Sequence, residues 1–256
     1  MKLTKVSGEN LNVTFGLEGT TPAFANALRR YCIDYVPTLA IEDIEFKNND
    51  SILYDEVVAH RLGLITLTTD LESYKLPEEG EEISAVNSVV LTLEKAEPGY
   101  VCAKDLQTKD PKVKPVFDDT QITYLVDDQS FEIIATAVMG QGKEHAKWSP
   151  ANVYYSYKPS ITVNNKSSQL KDVIAKFPPQ VVTDGKIDEK AINTPALIDA
   201  CDGIADDVVT IEYDSTSFLF RVESFGQLQP TDIIAEAVSQ FTKQLDDVKD
   251  LVKELK

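Results

Sequence analysis

The sequence predicts an α+β protein, because segments with strand periodicity and segments with helix periodicity both occur along its 256 residues. Apolar and polar residues alternate at 11–15 and at 129–139, as in strands that bury one face. Apolar residues recur with helical spacing at 21–35 and from residue 230 onward. The chain is long enough for two or three compact units, and the polar segment 164–168 is predicted to be a linker.

The composition is that of an ordinary globular protein, with 43% hydrophobic and 26% charged residues. A formal net charge of −17 does not attract a phosphate backbone, so we expect no direct binding of nucleic acid. The three cysteines are far apart and odd in number, which disfavours a disulfide framework and indicates a reducing compartment. The sequence contains neither a signal peptide nor a run of about 20 apolar residues, so we expect no membrane span and a cytoplasmic protein.

The first predicted helix begins with Thr21 as its N-cap and Pro22 in its first turn, and it ends before Pro37. One apolar stripe consists of Phe24, Ala27, Leu28, Tyr31 and Tyr35. The opposite face is also apolar, at Ile33, so this helix is expected to need two packing partners. An ordinary core helix with two solvated arginines is the alternative.

The last predicted helix starts at Pro230 and carries a narrow apolar seam with heptad spacing. The seam consists of Ile234, Val238, Phe241, Leu245, Val248, Val252 and Leu255. Charged residues cover the other faces. A stripe this narrow is typical of packing against another helix, either in the same chain or in a partner.

Between the two helices, strands are predicted at 39–46, 86–93, 129–139, 153–163, 208–213 and 218–223. A short helix followed by a strand is predicted within 52–67. Thr194 and Pro195 are expected to open another short helix. Loops are expected at 69–82, which is acidic, and at 97–119.

No catalytic, cofactor-binding or metal-binding site is predicted. The two histidines, His60 and His145, do not stand at metal-ligand spacing with a cysteine or with each other. Serine-hydrolase, P-loop and dinucleotide-binding motifs are absent from the sequence. The tripeptide Gly140-Gln141-Gly142 superficially resembles a phosphate loop, but a strand rather than a helix follows it.

The residue types that remain are suited to protein contacts. Trp148 lies close to His145 and Lys147, and Pro150 fixes the bend of this segment, so the turn can act as a rigid contact. The alternative is that Trp148 fills the core. Arg29, Arg30 and Arg61 are further contact candidates because arginine forms oriented, bidentate pairs, although each could instead make a weak surface ion pair.

Four blocks of sequence carry a family resemblance when they are taken together. They are FANALRR at 24–30, HRLGLITL at 60–67, GQGKEHAKWSP at 140–150 and FRVESFGQLQPTDII at 220–234. In this order they resemble the D subunits of archaeal RNA polymerase, whose family includes bacterial alpha and the eukaryotic third-largest-subunit homologues. One small departure is Thr66, where the family commonly has proline.

The resemblance implies an assembly platform that is not itself a catalyst. It implies a discontinuous dimerisation domain at 1–41 and 208–256, an inserted mainly-β domain at 42–165 and a small ferredoxin-like domain at 166–207. The dimerisation domain would pair with an L-like subunit, and the pair, with small subunits N and P, would dock the two large catalytic subunits.

The same resemblance implies which residues bind partners. In the dimerisation domain they are Phe24, Leu28, Arg29, Arg30, Tyr31, Ile234, Val238, Phe241 and Leu245, with the arginine pair facing the second-largest subunit. In the inserted domain they are His60, Arg61, His145, Lys147 and Trp148, for large-subunit contacts.

Some D subunits carry an iron–sulfur cluster in the third domain, which needs four thiolates. Here only Cys201 remains, so no cluster is predicted, and Cys102 alone at 97–119 predicts no zinc. An ordinary core is expected from Leu170, Val173, Ile174, Phe177, Val181, Ile187, Ile192 and Leu197. A ferredoxin-like redox protein and an unrelated homodimeric binding module stay open as alternatives.

Overall fold

A computed structural model describes residues 1–78 and 80–255 and has a mixed α+β architecture. Glu79, in the predicted acidic loop, and Lys256, in the predicted last helix, lie outside the described residues. The strands are β1 (Lys2–Glu9), β2 (Asn12–Glu18), β3 (Pro37–Asn49), β4 (Ser88–Lys95), β5 (Gly99–Cys102), β6 (Gln107–Thr108), β7 (Gln121–Leu125), β8 (Phe131–Gln141), β9 (Ala151–Val163), β10 (Val182–Thr183), β11 (Lys186–Ile187) and β12 (Val209–Ser224). The helices are α1 (Pro22–Arg30), α2 (Asp55–Gly63), α3 (Leu170–Val173), α4 (Pro195–Cys201) and α5 (Pro230–Glu254).

The described strands form four sheets, with orders β1-β2-β12-β9, β3-β8-β4-β6, β5-β7 and β10-β11. The chain divides into two compact units. One consists of Met1–Thr4, Gly16–Pro22 and Ser156–Leu219, and the other of Lys5–Phe15, Ala23–Tyr155 and Phe220–Lys256. None of the helices among the described residues is long and apolar enough to span a membrane.

The sheet of β3, β8, β4 and β6 supports α2 in the second unit. β3 and β8 pair antiparallel along their lengths, and β4 pairs with the other edge of β8. Val58 and Leu62 of α2 are fully buried in the core that Phe131 and Ile133 of β8 also join. Each side chain buried in this way contributes about 1.5–3 kcal/mol, so this core holds α2 firmly against the sheet.

Two strands predicted separately, at 208–213 and 218–223, are one strand in the structure, β12. The polar residues between them have the composition of a turn. However, the Asp214 carboxylate accepts hydrogen bonds from the backbone and hydroxyl of Thr216 and from the hydroxyl of Ser217. β12 lies between β2 and β9 in its sheet, and pairing with neighbouring strands keeps the backbone extended through these residues.

The prediction of a strand directly after α2 is also wrong. Only one isolated bridge forms there, between Leu67 and Pro115, because Thr68 instead exchanges hydrogen bonds with the backbone of Lys112 and Lys114. β7, which pairs with β5, is a further strand that the sequence pattern missed.

The segment 166–207 contributes to a hydrophobic core in the first unit. The eight predicted core residues all belong to it, five buried and three half-buried, which confirms that prediction. Cys201 lies in the same core, fully buried, and burial raises the pKa of its thiol. Among the described residues no group of three or more metal-ligating side chains is placed to hold an ion. One buried thiol cannot supply four thiolates, so this segment does not fit an iron–sulfur cluster.

Two hydrogen bonds between side chains hold the loop after Thr69 to the segment around Asp110. Tyr74 donates to Asp110 at 2.6 Å, and Lys112 donates to Asp70 at 2.5 Å. The hydrogen bond from Lys112, followed by one from Ser73, lowers the pKa of Asp70 to about 2. The folded chain therefore favours the ionised Asp70 carboxylate over its protonated form.

This shift predicts acid sensitivity. Because the folded-state pKa lies below the ordinary value of about 4, the contribution of Asp70 to stability is complete above about pH 4 and is lost towards pH 2. We expect the urea concentration at the unfolding midpoint to decrease as the pH is lowered through this range. In Asp70→Asn this decrease should be less steep. Asp127→Asn, at an exposed carboxylate, is the control. An equally steep fall in Asp70→Asn would contradict the assignment.

Candidate partner interfaces

The predicted first helix is confirmed, but its last part has a different geometry. α1 ends at Arg30, and Tyr31–Tyr35 continues it as a π-helical turn before β3 begins at Pro37. Ala25 and Leu28 are buried. The wider turn changes the positions of Tyr31 and Tyr35 relative to a regular helix.

An aromatic cluster joins this helix to α5. The ring of Phe241 lies 4.7 Å from that of Tyr31 and 6.1 Å from that of Phe24. Tyr31 also stacks on Tyr35 at 4.5 Å, and its hydroxyl donates to Gln244 Oε1 at 2.5 Å. Burial raises the pKa of Tyr31, which favours the protonated hydroxyl that donates this bond.

The predicted seam of α5 divides into an inner and an outer part. Ile233 and Ala237 are fully buried, and Phe241 is half-buried on the same side, so the face that packs on this chain is displaced from the predicted seam. Ile234 is half-buried. Six apolar residues, here called the outer stripe, are between 46% and 86% exposed: Val238, Leu245, Val248, Leu251, Val252 and Leu255. A row of exposed apolar side chains along almost five turns is typical of a protein interface.

The two arginines of α1 have different surroundings. Arg29 is half-buried and donates two hydrogen bonds to Asn26 Oδ1, each 3.1 Å long. Arg30 makes one ion pair of 3.5 Å with Asp34, and its side chain is 57% exposed. A pair this exposed contributes little to stability, so the Arg30 guanidinium is available to a partner at low cost.

His60 and Arg61 lie on the exposed side of α2. Arg61 donates through one guanidinium nitrogen to the carbonyl of Ile122 at 3.0 Å, which orients the side chain. Tyr54, at the start of α2, and Leu64, just after its end, are 80% and 52% exposed. The two predicted residues thus belong to a surface that is both basic and apolar.

Trp148 is 7% exposed and fills the core, the alternative that the sequence left open. Its indole nitrogen donates to the carbonyl of Val138 at 3.1 Å, and its ring lies so close to Gly140 that a Cβ there would come within 2.3 Å of it. His145 is exposed, and its Nδ1 accepts from the backbone of Lys147 at 3.0 Å. Of the two rings in this turn, the imidazole of His145 is therefore the exposed one and the indole is not.

Two of the sequence blocks, 60–67 and 140–150, both approach the Ile41 carbonyl. The β3–β8 register shifts between Ile41 and Asp43, which is the signature of a β-bulge. The Ile41 carbonyl accepts from Lys147 Nζ at 2.9 Å, and the same ammonium pairs with Glu42. A Cβ on Gly63, at the end of α2, would lie 3.4 Å from this carbonyl. α2 and the 145–148 turn are thus anchored to one point of β3.

Sequence reasoning missed Gln244 and Leu251, and it missed the stacking contact of Tyr35. Gln244 and Leu251 lie outside the heptad seam, and a polar glutamine in that position carries no signal of a contact with Tyr31. Tyr35 was placed on the correct stripe, but its stacking on Tyr31 depends on the π-helical turn, which no sequence pattern indicated.

Comparison with known proteins agrees with these observations. A family model described as the RNA polymerase Rpb3/Rpb11 dimerisation domain matches residues 14–245. DNA-directed RNA polymerase subunit Rpo3 of Methanosphaera stadtmanae is 34% identical over 254 residues, which cover 94% of each chain. Rpo3 of Methanothermobacter thermautotrophicus is 39% identical over 234 residues, 88% of this chain and 89% of its own. The chain therefore belongs to the RNA polymerase Rpb3/Rpb11 dimerisation-domain family, together with the archaeal Rpo3 subunits.

Proposed function

We propose that this chain is a non-catalytic assembly subunit of a multisubunit DNA-directed RNA polymerase. It pairs with an L-like subunit, and this heterodimer docks the two large catalytic subunits together with small subunits N and P. The protein works in the cytoplasm, where its three cysteines stay reduced. The outer stripe of α5 is the observation that carries the proposal, because it leaves an apolar helix face exposed in a family defined by a dimerisation domain.

In this proposal the dimerisation domain is discontinuous, formed by 1–41 and 208–256. The contacts of α1 and α5 through Phe24, Tyr31 and Phe241 support it, because they join the first and last parts of the chain. The L-like subunit would cover the outer stripe together with the exposed side of α1. Burial of six apolar side chains would stabilise the pair by several kcal/mol after the costs of association.

The large subunits would contact the inserted domain, 42–165. The exposed His60, Arg61 and His145 supply polar contacts there, and Lys147 and Trp148 hold the 145–148 turn in place. In the segment 166–207 a ferredoxin-like domain without a cluster is our interpretation, with the apolar core as its only support.

Co-expression with an archaeal L-like subunit tests the proposal. We expect a stable 1:1 complex on gel filtration, and we expect large polymerase subunits to copurify when this chain is expressed in an archaeal host. Light scattering of the chain alone distinguishes a homodimeric binding module. A chain that self-associates through α5 and ignores the L-like subunit would overturn the proposal.

Arg30→Ala separates the two proposed interfaces. Because Arg30 is exposed and its ion pair with Asp34 is weak, its loss should leave the heterodimer intact. Docking of the second-largest subunit should weaken by roughly tenfold, as expected for one interfacial arginine. Pull-down from a reconstituted assembly measures both steps, with Lys243→Ala, at an exposed position of α5 away from the outer stripe, as the control. Loss of the heterodimer itself would contradict the role given to Arg30.

A further inference from the structure

The π-helical turn at Tyr31–Tyr35 has an unusual set of partners at its end. The last carbonyls of a helix find no N–H donor within the helix, so they need donors from elsewhere. Here the donors come from 141–143, a segment more than 100 residues away in sequence. Gln141 Nε2 donates to the Tyr35 carbonyl at 2.7 Å, and the backbone of Lys143 donates to the Asp34 carbonyl at 3.0 Å.

Gly142 allows this approach. A Cβ at this position would lie 2.2 Å from the Ile33 carbonyl oxygen and 2.6 Å from Ser149 Oγ, closer than real contacts permit. Only glycine therefore fits between the π-helical turn and the 145–150 segment. The backbone of Gly142 is not in the left-handed region, so the requirement is for space and not for conformation.

The clamp segment, defined here as 141–143, also holds the aromatic cluster. Lys143 Nζ lies 5.6 Å from the centre of the Tyr35 ring, on its face. Tyr35 stacks on Tyr31, and Tyr31 contacts both Phe241 and Gln244 of α5. A continuous series of contacts thus runs from the clamp segment to α5.

Gly140 and Gly142 superficially resemble the glycines of a phosphate loop, but the structure uses this part of the chain differently. The side-chain amide of Gln141 is used on a helix carbonyl, and Gln141 itself is 3% exposed. The Lys143 backbone donor is used in the same way. Two donors that a phosphate would need are therefore occupied by the end of the π-helical turn.

We propose that Gln141 and Gly142 are positioning residues for the heterodimer interface. They hold the π-helical turn so that Tyr31 fixes the rotation of α5, and α5 presents its outer stripe before the L-like subunit arrives. Such pre-organisation lowers the cost of binding without adding a contact to the partner. The inference rests on the proposed function, because it assumes that this partner binds α5.

The test measures the dissociation constant for the L-like subunit with Gln141→Ala and Gly142→Ala, by calorimetric titration of the full chain. We expect each to weaken binding about tenfold, the effect of one lost hydrogen bond and a displaced turn. Gly16→Ala is the matched control, since among the described atoms its Cβ would meet the Thr4 carbonyl oxygen alone, at an ordinary 3.8 Å. If Gly142→Ala does not fold, Gln141→Ala decides alone.

A double-mutant cycle distinguishes positioning from general destabilisation. Tyr31→Phe removes the hydroxyl that bonds to Gln244, so Gln141→Ala should weaken binding less in that background. Additive effects, or binding by both clamp variants equal to that of Gly16→Ala, would overturn the inference. If the unmodified chain itself fails to bind the L-like subunit, the proposed function fails instead, so the two failures are distinguishable.

Discussion

Phe241→Asp is expected to abolish pairing with the L-like subunit while the sheet of β3, β8, β4 and β6 stays folded. In the present chain the Phe241 ring contacts the rings of Phe24 and Tyr31. The substitution places a carboxylate between these two rings. Burying an unpaired charge costs several kcal/mol, so α5 should detach from α1. Gel filtration of the co-expressed subunits measures pairing, and fluorescence of the single tryptophan, Trp148, reports on the inserted domain.

Two further variants make this prediction specific to the interface. Ser239→Asp adds the same charge at an exposed position of α5 and should pair normally. Leu245→Asp places it on the outer stripe, where the side chain is 54% exposed in the free chain. It should leave the stability of the free chain unchanged and still abolish pairing. Normal pairing by Leu245→Asp would show that the outer stripe is not the interface.

Trp148→Ala is expected to lower the free energy of unfolding by about 3–5 kcal/mol, the usual cost of removing a large buried aromatic side chain. The indole is packed against Gly140 and bonded to the Val138 carbonyl, so its loss leaves a cavity and removes this hydrogen bond. Urea unfolding followed by circular dichroism measures the change. Tyr54→Ala, at a side chain 80% exposed, is the control and should change stability by less than about 0.5 kcal/mol.

Gly140→Ala tests the same packing from the opposite side. Its Cβ would lie 2.3 Å from Cε2 of the indole, and the ring must move to accommodate it. A cost of about 1–3 kcal/mol is expected for such overpacking. A variant as stable as the unmodified chain would show that the indole has room to move, and would weaken the interpretation of Trp148 as a tightly packed core residue.

Local signals in the sequence predicted four of the five described helices and the longer strands β3, β4, β8, β9 and β12, but they missed short strands such as β5 and β6 within the predicted loop 97–119. Pro22 and Pro37 bracketed the first helix and its π-helical extension, and alternation located β8. The errors have physical causes. The continuity of β12 depends on its place between β2 and β9, and the π-helical turn depends on donors from the distant segment 141–143. Neither is encoded in the neighbouring residues.

The candidate site was predictable only in part. The heptad spacing located a long amphipathic helix, but it could not say which flank of the helix packs on its own chain, because Ile233 and Ala237 are apolar like the seam. A tryptophan in a turn is equally suited to a contact and to a core. The burial of Trp148 depends on Gly140 of β8, which leaves space for the indole. The sequence around Trp148 does not indicate this tertiary contact. The partner contacts themselves remain predictions.

The three cysteines offer an independent way to follow the parts of this molecule. Cys32 lies in the π-helical turn, Cys102 at the end of β5 and Cys201 in α4, and each is buried. Burial raises the pKa of Cys32 to about 12, so alkylating reagents meet a thiol that is both shielded and protonated. Labelling of each cysteine therefore requires a local opening of its surroundings. The native sequence thus carries one reporter of opening for the π-helical turn, one for β5 and one for α4.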